Sequence, residues 1–131
     1  RPAPAAHAGC GENAGAVGAG GKLRGTIVMV IVLGTITAAS EREAERVQSA
    51  LVARARKSRS DDGNLEYAFS RSLEDAKEFR LTERWESDAH LSRHLEVPDP
   101  EFAELMATAG ITAATVKVYD GANERLLMNR K

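Results

Sequence analysis

The feature that most narrows the fold is the run TIVMVIVLGTI, Thr26–Ile36, which carries no charge. A bilayer crossing by helix needs about 20 apolar residues, so the run is too short to be one. It is rich in Val and Ile, whose branched side chains suit a pleated strand. Apolar side chains on both faces of a strand call for cover on both faces.

Ahead of it, residues 1–25 are largely Ala, Gly and Pro and have little to bury. They lack the continuous apolar core of a signal peptide and read as a disordered leader, processed or added. The ordered domain is expected over residues 26–120, with a tail or arm over 121–131.

Downstream, the pattern alternates cleanly. Ser40 has the character of an N-cap, and Glu43 completes a capping-box pattern for a helix over Ser40–Arg59. Ala44, Val47, Leu51 and Ala55 fall on one helical stripe. KSRSDDGN is a turn cluster. A second strand is expected over Leu65–Ser72, with Leu65, Tyr67 and Phe69 on one face, and a third over Glu78–Glu86. In the third, Phe79, Leu81, Glu83 and Trp85 share a face. Ser87 caps a helix over Asp88–Glu96, which Pro98 stops. Asp99 and Pro100 start another, and Gly110 closes it near Ala109. A fourth strand is expected over Thr112–Tyr119.

The order β-α-β-β-α-β, with its second helix broken at Pro98, predicts a ferredoxin-like α+β domain. One such sheet leaves its other face open, and a second copy of the chain is the expected cover. The fold class is thus an α+β domain pairing into a dimeric α+β barrel.

With 18 Lys+Arg against 19 Asp+Glu, the net charge of -1 gives no reason to expect nucleic acid or a membrane surface as partner. The single cysteine, Cys10, cannot form an internal disulfide, and no Cys/His zinc spacing exists. A reducing, cytoplasmic setting is the expectation.

Glu83, Trp85, Glu86, Ser87, Leu91, His94 and Leu95 form E-x-W-E-S-x-x-x-L-x-x-H-L, and Gly63 and Tyr67 form G-x-x-x-Y before it. In these motifs, residues 26–120 resemble the antibiotic biosynthesis monooxygenase family, whose members are small dimeric α+β barrels. The wording around Trp85 and His94 is most similar to the quinol monooxygenase branch. The resemblance implies a cofactor-independent monooxygenase that turns a small aromatic phenol or quinol into a quinone, with molecular oxygen as co-substrate. Haem is disfavoured: haem-degrading relatives combine a strand-one asparagine, a strand-three tryptophan and a later ligating histidine, and only Trp85 matches. No G-x-G-x-x-G follows a strand to suggest a flavin or nicotinamide.

The residues themselves carry the candidate chemistry. A neutral His94 imidazole can take a phenolic proton near neutral pH. Tyr67 can hold a substrate oxygen. Trp85, with Phe69, can form an apolar wall for a flat ring. Glu83, a carboxylate on an apolar face, must find a partner or shift its pKa. It can act as an acid or base, or bridge to Arg71, Arg84 or Lys117. His90 precedes His94 by one turn and is read as a substrate contact; the pair lacks the H-E-x-x-H context of a metal site, and no metal is expected. Tyr119 is a weaker candidate. An isomerase acting on a small carbonyl compound, or a non-catalytic dimeric ligand-binding module, uses the same residues and stays open.

Overall fold

The computed structural model describes residues 29–131. The expected leader and the start of the first strand at Thr26 lie outside the described residues. The elements run β1 (Met29–Ala38), α1 (Glu41–Arg59), β2 (Asn64–Arg71), β3 (Glu78–Trp85), α2 (Asp88–Glu96), α3 (Pro100–Thr108) and β4 (Ile111–Gly121). The sheet has the order β2-β3-β1-β4, and every pairing is antiparallel. This is the ferredoxin-like α+β arrangement, with β1 and β3 central. Among the described residues, no helix is long and apolar enough to cross a membrane.

Local chemistry explains the boundaries. Ser40 Oγ accepts the Glu43 N–H at 3.1 Å and starts α1, while Arg56, Lys57 and Arg59 complement the dipole in its last turn. Ser87 and Asp99 cap α2 and α3 in the same way, with Pro100 in the first turn of α3. Gly110, at φ 63°, follows α3 and supplies the left-handed residue that ends it.

The α1 stripe of Ala44, Val47, Leu51 and Ala55 is buried on the sheet. Each of Val47 and Leu51 contributes on the order of 2 kcal/mol by leaving water. The core has two lobes. One gathers Val30, Val32, Ala55, Tyr67, Leu81, Trp85 and Leu91; the other gathers Ile36, Ala38, Ala44, Val47, Leu51, Phe79 and Ala109. Half-buried Phe69 packs against both.

One expectation needs correction. Leu65 does not join Tyr67 and Phe69 on the inner face, because a bulge between Asn64 and Glu66 leaves it out of the ladder and 43% exposed. Within one chain the outer face of β1 is open and Leu33 is 45% exposed; this is the face that a second copy is expected to cover. The tail forms no further strand: residues 122–131 have no regular structure, and Leu126, Leu127 and Met128 are exposed.

Gly63 lies at the turn between α1 and β2, at φ 82°. A Cβ there would collide with the His90 ring, and the backbone is in the left-handed region that disfavours side chains. Gly63→Ala is therefore expected to cost about 2 kcal/mol or more, lowering the melting midpoint by on the order of 10 °C. Adding His90→Ala should recover the collision part of that loss but not the backbone part. An unchanged midpoint in the single variant would contradict the packing described.

Candidate functional site

The alternation of β3 turns Phe79, Leu81, Glu83 and Trp85 inward, all of them buried. Cross-strand register then sets neighbours: Glu83 pairs with Val32 on one side and Tyr67 on the other, and Trp85 pairs with Val30. Helix α2 presents Leu91 and His94 to the same lobe. The His94 ring lies over Trp85 at 4.7 Å between centroids and 35° between planes, and meets Tyr67 edge-on at 5.8 Å. Phe69 meets Tyr67 edge-on at the same 5.8 Å.

A polar chain threads this apolar lobe. His94 Nδ1 is 2.6 Å from Asp61 Oδ2, and His94 Nε2 is 3.2 Å from Arg54 Nη2. A guanidinium can only donate, so Nε2 is the acceptor. The ring proton is then on Nδ1, donated to Asp61, and this network assigns His94 as the neutral Nδ1–H tautomer. Arg54 Nη1 donates in turn to Asp99 Oδ2 at 2.9 Å, and its guanidinium lies 4.9 Å from the centre of the Phe102 ring.

Glu83 Oε1 accepts the Trp85 indole N–H at 2.7 Å. The partner is thus a residue two places along its own strand face, not the cations Arg71, Arg84 or Lys117. Arg84 is engaged with Glu66, and Arg71 with Glu45. Burial pushes the Glu83 carboxyl above its ordinary value of 4.5, and the Trp85 hydrogen bond and the positive charge of Arg54 only partly offset it. Burial also raises the Tyr67 phenol, the Glu83 charge adds to that, and Arg54 and Ser58 pull it back.

Of the sequence-predicted residues, His94, Tyr67, Glu83 and Trp85 come together, with Phe69 at their margin. His90 does not join them. Its Nδ1 is 2.7 Å from Ser87 Oγ, its Nε2 is 3.7 Å from Asp62, and its ring lies against Gly63. It braces the turn that carries Asp61, and the two histidines turn to different partners. Tyr119 pairs with Ile31 on the outer face, away from the cluster. Among the described residues, no group of three or more His, Cys, Asp or Glu is arranged to hold a metal ion.

Two participants escape a sequence reading. Asp61 lies in the turn cluster and looks like turn chemistry. Arg54 sits beside the buried stripe, seven residues after Val47, and that spacing on an apolar face was the available signal.

The cluster is closed. Trp85 is 0% exposed and His94 4%. The larger hollow, about 430 Å³, lies along α3 by Glu101, Glu104 and Leu105. A smaller one of about 130 Å³ is bounded by Arg54, Lys57, Asp99 and Phe102. Neither is lined by a sequence-predicted residue, but Arg54 borders the second and touches His94.

Residues 29–107, more than half of the chain, match the family model described as antibiotic biosynthesis monooxygenase. The structure is similar to that of a candidate antibiotic biosynthesis monooxygenase from Deinococcus radiodurans. The two are 26% identical with a TM-score of 0.69, over 76% of this chain and 99% of that one. It is also similar to a Pseudomonas aeruginosa protein, at 26% identity and a TM-score of 0.62, over 72% and 94% of the two chains. A Mycobacterium tuberculosis protein shares the fold at 23% identity and a TM-score of 0.61, over 73% and 97%. No match to the chain was found among curated proteins.

The raised Glu83 carboxyl has a thermodynamic consequence. The folded state holds this proton more tightly than the unfolded one, so stability from this group is full below the unfolded value and falls as pH rises through the folded one. Glu83→Gln keeps an oxygen for the Trp85 N–H and removes the titration. The melting midpoint of the variant relative to the native protein is expected to rise as the pH is raised above the ordinary carboxyl value of 4.5. A difference that is flat with pH would show that Glu83 is not held protonated by burial.

Proposed function

The chain belongs to the antibiotic biosynthesis monooxygenase family, and on that premise we propose that it oxidises a small aromatic phenol or quinol to a quinone with molecular oxygen and no cofactor. The observation that carries this reading is the His94 lone pair. His94 is neutral, its Nδ1–H is anchored on a carboxylate, and its ring is stacked on a buried indole. That is the arrangement of a general base whose protonated form is stabilised as it appears.

In this mechanism the phenolic proton passes to His94 Nε2, and Asp61 steadies the imidazolium. The phenolate gives an electron to dioxygen, and the radicals combine at a ring carbon to a hydroperoxide. Loss of water leaves the quinone, so one phenol and one dioxygen give one quinone and one water. Tyr67 would hold the substrate oxygen, Trp85 and Phe69 would wall the ring, and Glu83, which burial favours in its protonated form, would supply a proton to the departing oxygen. Burial keeps water from the oxygen intermediates.

Oxygen uptake with a panel of quinols and polycyclic phenols tests this. His94→Ala is expected to lower the rate by about 10²–10⁴-fold. Asp61→Asn, which still accepts the Nδ1–H but lacks the charge, should lower it less. Uptake unaffected by His94→Ala would remove the histidine from the mechanism. Proton transfer on a carbonyl compound without oxygen uptake would instead mark an isomerase built on the same base.

The reading includes a homodimer. The open outer face with Ile31, Leu33 and Tyr119, and the exposed Leu126, Leu127 and Met128, are apolar surface that a second copy would cover. Light scattering should give twice the 14.1 kDa chain mass, and deleting residues 122–131 should weaken the association. A monomer at micromolar concentration would overturn it.

A further inference from the structure

Arg54 stands between a surface hollow and the buried base. On one side it borders the hollow of about 130 Å³ with Lys57 and Asp99. On the other, Nη2 occupies the lone pair of His94 Nε2 at 3.2 Å. While it does so, His94 has no free acceptor for a substrate proton.

The donors of Arg54 are incompletely used. Nη1 serves Asp99, Nη2 serves a neutral ring nitrogen, and Nε is buried with no hydrogen-bond partner. The charges are also uneven: Arg54 and Lys57 share the single carboxylate of Asp99, at 2.9 and 3.7 Å. Glu101 also borders the hollow but is exposed, where water and salt screen it. The Nε/Nη2 edge of a guanidinium matches a carboxylate in a two-point fork, and a charge-assisted pair is about twice as strong as a bond to a neutral acceptor. The hollow is smaller than the roughly 300–1,000 Å³ of a whole ligand site, so it suits the acidic end of a molecule and not its ring.

Resting on the monooxygenase reading above, we propose that Arg54 is a specificity-determining residue and that the substrate is a phenol or quinol bearing a carboxylate. The carboxylate takes the Nε/Nη2 edge of Arg54 and draws the guanidinium from His94. Nε2 is then free, and the phenolic proton moves onto it. A neutral phenol leaves Arg54 on His94 and finds the base occupied.

The probes are 2,5-dihydroxybenzoate and its methyl ester, which differ by the charge and one methyl group. With the native protein, oxygen uptake should show a KM about ten-fold or more lower for the acid, the tenfold that corresponds to one charge-assisted hydrogen bond. Arg54→Gln, whose amide still donates to Nε2 without a charge, should bring the two KM values together, and Arg54→Lys should keep part of the difference. This ratio is insensitive to a general loss of folded protein. Equal KM values in the native protein, or a preference that survives Arg54→Gln, would overturn the proposal. Should neither probe drive oxygen uptake, the monooxygenase reading fails for them, and anaerobic calorimetry decides the Arg54 question. Binding of the acid but not the ester, lost in Arg54→Gln, upholds it; equal binding, or none, refutes it.

Discussion

The pinning of His94 between Asp61 and Arg54 is the interaction on which the site depends. It joins four separate pieces of chain: the turn after α1, α2, the C-terminal half of α1 and, through Asp99, the junction of α2 and α3. Buried polar groups are costly unless paired, and each member of this chain supplies what its neighbour lacks. Asp61 accepts a proton it does not own, His94 accepts at its other nitrogen, and Arg54 donates in two directions. Removing one link leaves a buried group unsatisfied, so the three helical segments are held in one relative placement.

The sheet provides the floor. With β1 and β3 central, the inner face of β3 carries Phe79 into one core lobe and Trp85 into the other. The first lobe is purely apolar in its buried members and stabilises the α1 contact. The second admits Glu83 and His94 among Val32, Tyr67 and Leu91, and there the apolar surroundings perturb a carboxyl and a phenol in the same direction. Titratable groups and purely apolar packing thus occupy opposite ends of one small core, sharing Phe69 at the seam.

The closed state of the cluster bears on function as much as its composition does. In the proposed mechanism, an indole with no exposure and an imidazole lone pair already taken describe the site at rest. Arg54 is the member with its other side toward a hollow, so the proposed opening and recognition converge on one long, flexible side chain. Such a residue moves without disturbing backbone hydrogen bonds, whereas a shift of Trp85 would disrupt the β3 face beneath it.

Much of this was legible locally. Strand alternation placed Glu83 and Trp85 on one inner face, caps at Ser40, Ser87 and Asp99 started the helices, and spacing picked the α1 stripe. These depend on neighbours within a turn or a strand, where period and propensity act directly. The bulge at Leu65 was not legible, since an extra residue shows itself only against its partner strand. Nor were the roles of Arg54 and Asp61, whose contacts to His94 span 40 and 33 residues of chain. In sequence, a charge beside a helical stripe and an acid in a turn look solvated. Only the docking of α1 and α2 on one sheet face decides that they meet at buried His94, because it removes much of the water that would otherwise have satisfied them.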